Sequence, residues 1–157
     1  MILAELREEI LIEFDNLQTT VAELQALRQD LASREPTNRE KTAAATFLAQ
    51  FYSGVENILK RLSRFYGVPL PVGDTWHADL FKRFCEPSLP PLPALFDVAL
   101  TAQLAPFRKF RHVVFHGYGF QIDWERMQEG VAQVGPLFAA FKPRVLEHLR
   151  QLGANSP

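Results

Sequence analysis

The sequence contains a single cysteine, Cys85, so no disulfide bond can form within the chain. Disulfides are common in secreted domains and rare in the reducing cytosol, and we therefore expect a cytoplasmic protein. No apolar run approaches the roughly 20 residues that a membrane-spanning helix needs. Charged residues throughout the first fifteen positions argue against a signal peptide. We expect no membrane partner.

The chain also lacks an excess of charge of either sign. Its 157 residues carry a formal net charge of -1 at pH 7. Proteins that coat nucleic acid nonspecifically are usually far more basic, so any contact with RNA or DNA must come from a local basic patch. The hydrophobic fraction of 47% is ordinary for a globular protein and is sufficient for one core. We expect a single domain over residues 1–157.

No segment alternates apolar and polar residues over a convincing length, and the apolar residues instead recur with helical spacing. Thr37 and Glu40 form a capping box of the kind that starts a helix. The pattern predicts an all-α protein, an up-and-down bundle of four long helices plus one short helix. Pro106 should kink the fourth long stretch or restart it. The predicted helices span residues 2–34, 38–66, 76–84, 92–116 and 124–152, followed by a frayed tail at 153–157.

Titratable side chains concentrate between residues 109 and 120, where a predicted helix meets two glycines. Arg111 and His116 combine a residue type that is always cationic with the residue type that commonly transfers protons at neutral pH. The pair suits a phosphodiester, because arginine binds phosphate oxygens and histidine transfers protons. Residues five apart do not share a helix face, but the His116 ring can swing back toward Arg111 if the helix frays at Gly117. With an RNA substrate the ribose 2′-OH can serve as nucleophile, so no metal or cofactor is required.

Other basic residues nearby allow different interpretations. Arg108 lies three residues before the arginine just described and adds to a local basic patch. His112 and His116 are four apart and share a helix face, a spacing that can bind a metal; a third ligand is not evident, and we expect no metal site. Basic residues near a helix C-terminus are also favoured by the helix dipole, so a purely structural role is the alternative. His77 and His148 have no evident partner and are assigned to surface or packing roles.

Three segments of the chain form an ordered set. Phe51–Ile58 lies in the second predicted helix, Trp76–Leu80 forms the short third helix, and Arg111-x4-His116-x-Tyr118 ends the fourth. The set resembles the signature segments of HepT-like toxins, members of the HEPN superfamily, whose motif is Arg-x4-His-x-Tyr. The resemblance covers most of the chain, from about residue 5 to residue 150.

The resemblance implies a HEPN-like bundle that forms a homodimer and brings two motifs to one cleft. It implies the toxin of a type VII-like toxin–antitoxin system, a metal-independent endoribonuclease that is neutralised by a minimal nucleotidyltransferase antitoxin. Arg111 would bind the scissile phosphate, and His116 would be the general acid or base. Tyr118 would be the residue that the antitoxin modifies with AMP.

Two features depart from the family pattern or vary within it. His112 follows the motif arginine, where the family commonly has asparagine, and we treat it with Arg108 as a candidate substrate-binding residue. Pro106 inside the motif helix is unexpected. One alternative function is a non-catalytic helical module that binds a nucleotide or docks a nucleotidyltransferase. Another is a purely structural dimerisation protein that uses the hairpin of the first two helices.

Overall fold

The computed structural model describes residues 1–155, which form five α-helices joined by turns and short connections. No β-strand occurs in this range, so the predicted all-α class with four long helices and one short helix is confirmed. A 3₁₀ turn lies between the last two helices. The elements are α1 (Leu3–Asp30), α2 (Asn38–Phe65), α3 (Trp76–Lys82), α4 (Val98–His116), the turn Gly119–Gln121 and α5 (Trp124–Ala154).

Neighbouring long helices run antiparallel, as their side-chain contacts show. Glu13 of α1 accepts a hydrogen bond from Asn57 of α2. One turn before Glu13, Glu9 forms an ion pair with Arg61, which lies one turn after Asn57. Residue numbers therefore rise in opposite directions along the two helices. Contacts with the same opposed numbering join α4 to α5 and α1 to α5. Since α1 is antiparallel to both α2 and α5, and α4 is antiparallel to α5, α4 is also antiparallel to α2. The bundle is thus up-and-down, as predicted.

Helix α2 packs against every other helix of the described chain and against the 3₁₀ turn. Most residues of the apolar stripe of α2 and of the seven-residue repeat of α1 are buried, and they pack into the same core. Aromatic rings fill much of that core. The largest fully buried side chains include Tyr52, Phe14, Phe51, Phe84, Phe96, Phe107 and Phe141. Polar side chains of α2 on this side need hydrogen-bond partners, and Ser53 and Glu56 find theirs in the site described below.

Several predicted boundaries were wrong. Helix α4 begins at Val98 rather than near residue 92, because the Asp97 carboxylate accepts the Leu100 N–H at 2.8 Å and caps the helix there. The proline-rich residues before it form turns and bends instead of a helix. Helix α1 ends at Asp30 and α3 at Lys82, both earlier than predicted.

One of the two alternatives predicted for Pro106, and the predicted start of the tail, need correction. Helix α4 continues through Pro106, so it does not restart there, and a kink stays a prediction. Gly153 and Ala154 belong to α5, so the predicted frayed tail 153–157 does not begin at residue 153. Residues 156–157 of that tail lie outside the described residues. Among the helices of residues 1–155, none is both long and apolar enough to cross a membrane.

The start of α2 is the capping box that the sequence predicted. Glu40 N–H donates to the Thr37 hydroxyl at 3.2 Å, and Thr37 N–H donates to the Glu40 carboxylate at 3.0 Å. Arg34 adds two further hydrogen bonds to that carboxylate, at 2.7 and 2.6 Å. The Arg34 guanidinium, and then the Thr37 N–H, lower the pKa of Glu40 from 4.5 to about 2.

This lowered pKa predicts how stability depends on acid. The ionised Glu40 stabilises the fold above its unfolded-state pKa of 4.5, and the contribution is lost as the pH falls toward about 2. Unfolding by urea, followed by circular dichroism from pH 7 to pH 2, should show Glu40→Gln less stable than the parent at neutral pH. The difference should shrink as the pH falls through this range. Arg34→Gln should behave similarly, and a difference that is constant with pH would contradict the assignment.

Candidate functional site

Arg111 lies on the face of α4 that packs against α2, and three side chains hold its guanidinium. Nε donates to the Ser53 hydroxyl at 3.1 Å and lies 3.5 Å from Oε1 of Glu56. Nη1 lies 3.2 Å from Nε2 of His77. The Arg111 side chain is 22% exposed. The motif arginine is therefore fixed by α2 and α3 while part of it stays accessible.

The Glu56 carboxylate lies at the centre of these contacts. It is 2% exposed, and its Oε2 is 2.5 Å from Nδ1 of His77. A buried carboxylate is costly unless it is paired and hydrogen-bonded. Here His77 makes the hydrogen bond, and the Arg111 guanidinium supplies the positive charge. The Trp76 ring packs on the His77 ring with centroids 3.6 Å apart. Lys60 of α2 lies over the Trp76 ring at 4.8 Å, which gives α3 a second contact with α2.

Tyr52 forms part of the buried floor next to this cluster. The residue is 1% exposed, and its hydroxyl is buried beside Arg108. Burial raises the pKa of Tyr52, the nearby Glu56 carboxylate adds to the rise, and the guanidinium groups of Arg108 and Arg111 oppose it. Tyr52 therefore stays protonated at neutral pH and keeps a hydroxyl donor near the two arginines.

An open cavity of about 230 Å³ lies between α4 and the start of α3. Arg108, Arg111 and His112 line it from α4, since residues three and four apart lie on neighbouring positions of one helix surface. The other lining residues are Asp74, Thr75, His77 and Ala78. The cavity thus brings together the motif arginine and both candidate substrate-binding residues of the sequence prediction.

His116 does not join this cavity. Helix α4 remains helical through His116, so the end does not fray and the ring does not swing back toward Arg111. The Phe115 ring instead covers the Arg111 guanidinium at 4.6 Å, and the His116 ring packs 4.5 Å from the His112 ring. Spacing explains the outcome, because residues four apart form stripes along a helix. The contact that a frayed helix end would have allowed therefore does not form within one chain.

The His112–His116 pair supplies too few ligands for a typical protein metal site. In the described range, no group of three or more His, Cys, Asp or Glu side chains is arranged to hold a metal ion. The His112–His116 pair has two imidazoles without a third ligand of those types, whereas protein metal sites usually supply at least three.

Tyr118 lies just after α4 and is 65% exposed. Its ring stacks on Phe120 with centroids 5.6 Å apart. The following residue, Gly119, approaches α2 so closely that an added Cβ would lie 3.1 Å from the Ala45 Cβ. This close packing fixes the segment and leaves the tyrosine accessible. Phe115, at 63% exposed, and Val113 extend the apolar surface beside it.

The sequence prediction missed Ser53, Glu56 and His77. All three lie in segments that were recognised, but the polar residues of those segments were treated as scaffold. His77 was assigned a surface or packing role, and this was wrong because it contacts Glu56 and Arg111. His148 likewise has a partner, since its Nε2 lies 2.8 Å from the Tyr66 hydroxyl.

The buried carboxylate predicts a stability effect. Glu56→Ala leaves Arg111 and His77 without their shared acceptor, which should lower the free energy of unfolding by about 1–3 kcal/mol. Glu8→Ala, on the exposed side of α1, is the matched control and should stay within about 0.5 kcal/mol of the parent. Urea unfolding measures both. Equal effects of the two substitutions would show that the Glu56 contacts do not stabilise the fold.

Comparison with known proteins adds one finding. A search of curated proteins gave no significant match, and a search of solved structures gave none either. The family profile described as HepT-like protein matches residues 43–152. The matched region covers more than two thirds of the chain, from α2 to α5, and contains every residue of the cluster and cavity just described. The resemblance drawn from three short segments is thus confirmed, and the chain belongs to the HepT-like family.

Proposed function

We propose that this protein is the toxin of a toxin–antitoxin pair and a metal-independent endoribonuclease that acts as a homodimer. The observation that carries the proposal is the fixed Arg111 guanidinium at the wall of a cavity that also exposes Arg108 and His112. A pre-positioned cation beside open space suits a phosphate group, because the guanidinium is planar and donates two parallel hydrogen bonds to phosphate oxygens.

The proposed reaction is transesterification within the RNA. A base removes the proton of the ribose 2′-OH, and the oxygen attacks phosphorus. The bond from phosphorus to the 5′ oxygen breaks, and an acid gives that oxygen a proton. The products are a 2′,3′-cyclic phosphate and a 5′-OH end. Arg111 stabilises the charge that develops on the phosphate oxygens, and His116 transfers protons.

Two copies explain how His116 takes part. Within one chain His116 packs beside His112, does not line the cavity at Arg111, and lies at an exposed helix end. The neighbouring residues in the sequence include four exposed apolar or aromatic side chains, namely Val113, Phe115, Tyr118 and Phe120. Such a patch favours contact with another chain. A symmetric dimer over this surface supplies two Arg111 groups and two His116 groups, hence one acid and one base for each scissile bond.

One observation favours the alternative, a non-catalytic module that binds a nucleotide or docks a nucleotidyltransferase. The charge of Arg111 is partly neutralised by Glu56, and its guanidinium already makes two hydrogen bonds. A binding site needs no more than the cavity and its cations. RNA binding without cleavage by the pure protein would select this alternative.

The proposed antitoxin is a minimal nucleotidyltransferase that attaches AMP to Tyr118. The tyrosine hydroxyl is accessible, and the residue lies two positions after His116. An added phosphate and adenosine would bring negative charge and bulk to the cleft between two copies, and both would oppose entry of an RNA strand.

The proposed nuclease predicts a strong effect at His116. His116→Ala should reduce RNA cleavage by about 10²–10⁴-fold, the usual contribution of a general acid or base. Its helicity should be unchanged, because the side chain is exposed. Cleavage of a labelled RNA in EDTA is the measurement, and His148→Gln, which alters a histidine bonded to Tyr66, is the control.

Two results would contradict this assignment. Cleavage by His116→Ala at the parental rate would remove the residue from the mechanism. Loss of parental cleavage in EDTA, restored by added metal, would indicate a metal site at the His112–His116 pair instead.

The proposed antitoxin predicts a covalent change at one position. After co-expression with a nucleotidyltransferase encoded beside the toxin, mass spectrometry should find one adenylyl group on the peptide that contains Tyr118. Tyr118→Phe should carry none, while Tyr66→Phe should be modified like the parent. An adenylyl group that persists in Tyr118→Phe would assign the modification to another residue.

A further inference from the structure

We propose that His77 is a positioning residue for Arg111, and that Glu56 fixes His77 in the single tautomer that this task requires. The proposal deepens the proposed nuclease function, because it concerns how the phosphate-binding arginine is held. It assigns a role to α3, which contributes no residue to the Arg-x4-His-x-Tyr motif.

The hydrogen-bond chemistry defines the state of the His77 ring. Arginine nitrogens donate and never accept, so Nε2 of His77 must accept from Nη1 of Arg111 across 3.2 Å. Nε2 then carries a lone pair, and the proton of the neutral ring lies on Nδ1. Nδ1 lies 2.5 Å from Oε2 of Glu56. An ionised carboxylate oxygen can only accept a hydrogen bond, so Nδ1 is the donor. Both contacts are satisfied by one neutral tautomer.

The three contacts hold the guanidinium from different elements of the fold. Ser53 and Glu56 of α2 approach Nε, and His77 of α3 accepts from Nη1. An arginine held only at Nε can still rotate about its terminal bonds, and the contact at Nη1 removes that freedom. Within the described residues Nη2 makes no hydrogen bond. Since the side chain is partly exposed, the N–H groups of Nη2 and the second N–H of Nη1 are left to meet phosphate oxygens.

The His77 ring is itself held in place. Trp76 packs on it with centroids 3.6 Å apart, and the Trp76 ring carries Lys60 at 4.8 Å. The ring therefore cannot turn away from Arg111 without disturbing α3. Orienting partners of this kind matter in catalysis, because a reacting group displaced by about 1 Å can cost about 10²-fold in rate.

The same contacts give His77 a different role from His116, the proposed proton-transfer residue. Both nitrogens of His77 are engaged by protein groups, so neither is free to serve the substrate. His116 lies on the exposed part of α4 and is available to a second copy. His77 thus acts through Arg111 rather than on the RNA.

Two variants at one position test this role in an RNA cleavage assay. His77→Ala removes the acceptor at Nη1, and cleavage should fall by about 10²-fold. His77→Gln supplies an amide oxygen that can accept from Nη1, and cleavage should return to within about 10-fold of the parent because the guanidinium is again held in place. Equal loss in both variants would mean that His77 transfers protons, and no loss in His77→Ala would mean that it has no role. Either result overturns the proposal.

Nuclear magnetic resonance of the arginine side chains gives a readout that does not depend on cleavage. Restricted rotation should give separate signals for the two Nη nitrogens of Arg111, assigned by their absence in Arg111→Lys. The signals should merge in His77→Ala and stay separate in His77→Gln. A long-range nitrogen spectrum of His77 should show the tautomer protonated at Nδ1. Merged Arg111 signals in the parent protein, or a His77 ring protonated at Nε2, would overturn the proposal.

The two readouts separate the failure of this inference from the failure of the proposed function. If the parent cleaves no RNA but the Arg111 and His77 signals behave as stated, the nuclease assignment fails and the positioning contact remains. If the parent cleaves RNA and the signals do not respond to His77→Ala, the nuclease stands and the positioning role is overturned.

Discussion

Glu56 carries the least exposed charge in the described part of the chain, and the arrangement of the site depends on it. A carboxylate in the interior requires cationic or N–H partners, and none can come from the apolar stripe of α2 itself. They come instead from His77 of α3 and Arg111 of α4. One buried charge therefore sets how the short helix lies on α2 and how the motif arginine points.

The C-terminal end of α4 carries two neighbouring stripes of side chains with different surroundings. Arg111 and Phe115 follow one stripe, toward the Glu56 cluster. His112 and His116 follow the next stripe, which is exposed to solvent, and His112 also lines the cavity beside Arg111. The fixed cation and the accessible imidazole of the motif thus lie on different stripes of one helix. In the function we propose, the exposed stripe of one copy approaches the cavity of the other.

Local patterns were sufficient to predict most of the fold. The apolar repeats of α1 and α2, the capping box at Thr37 and the two glycines after α4 each depend on neighbouring residues, and each prediction held. The start of α4 was misplaced, since a cap at Asp97 competes with an apolar pattern that begins earlier. The site was only partly predictable. Its missed histidine meets partners 21 and 34 residues away in sequence, a distance at which spacing rules carry no information.

The central claim, that this HepT-like protein cleaves RNA by attack of the ribose 2′-OH without a metal, is tested most directly by the chemical ends of the products. The purified protein, incubated with RNA in EDTA, should leave a 2′,3′-cyclic phosphate on one fragment and a 5′-OH on the other, as end-labelling and mass spectrometry would show. Fragments with 3′-OH and 5′-phosphate ends, or intact RNA after complete binding, would contradict the account.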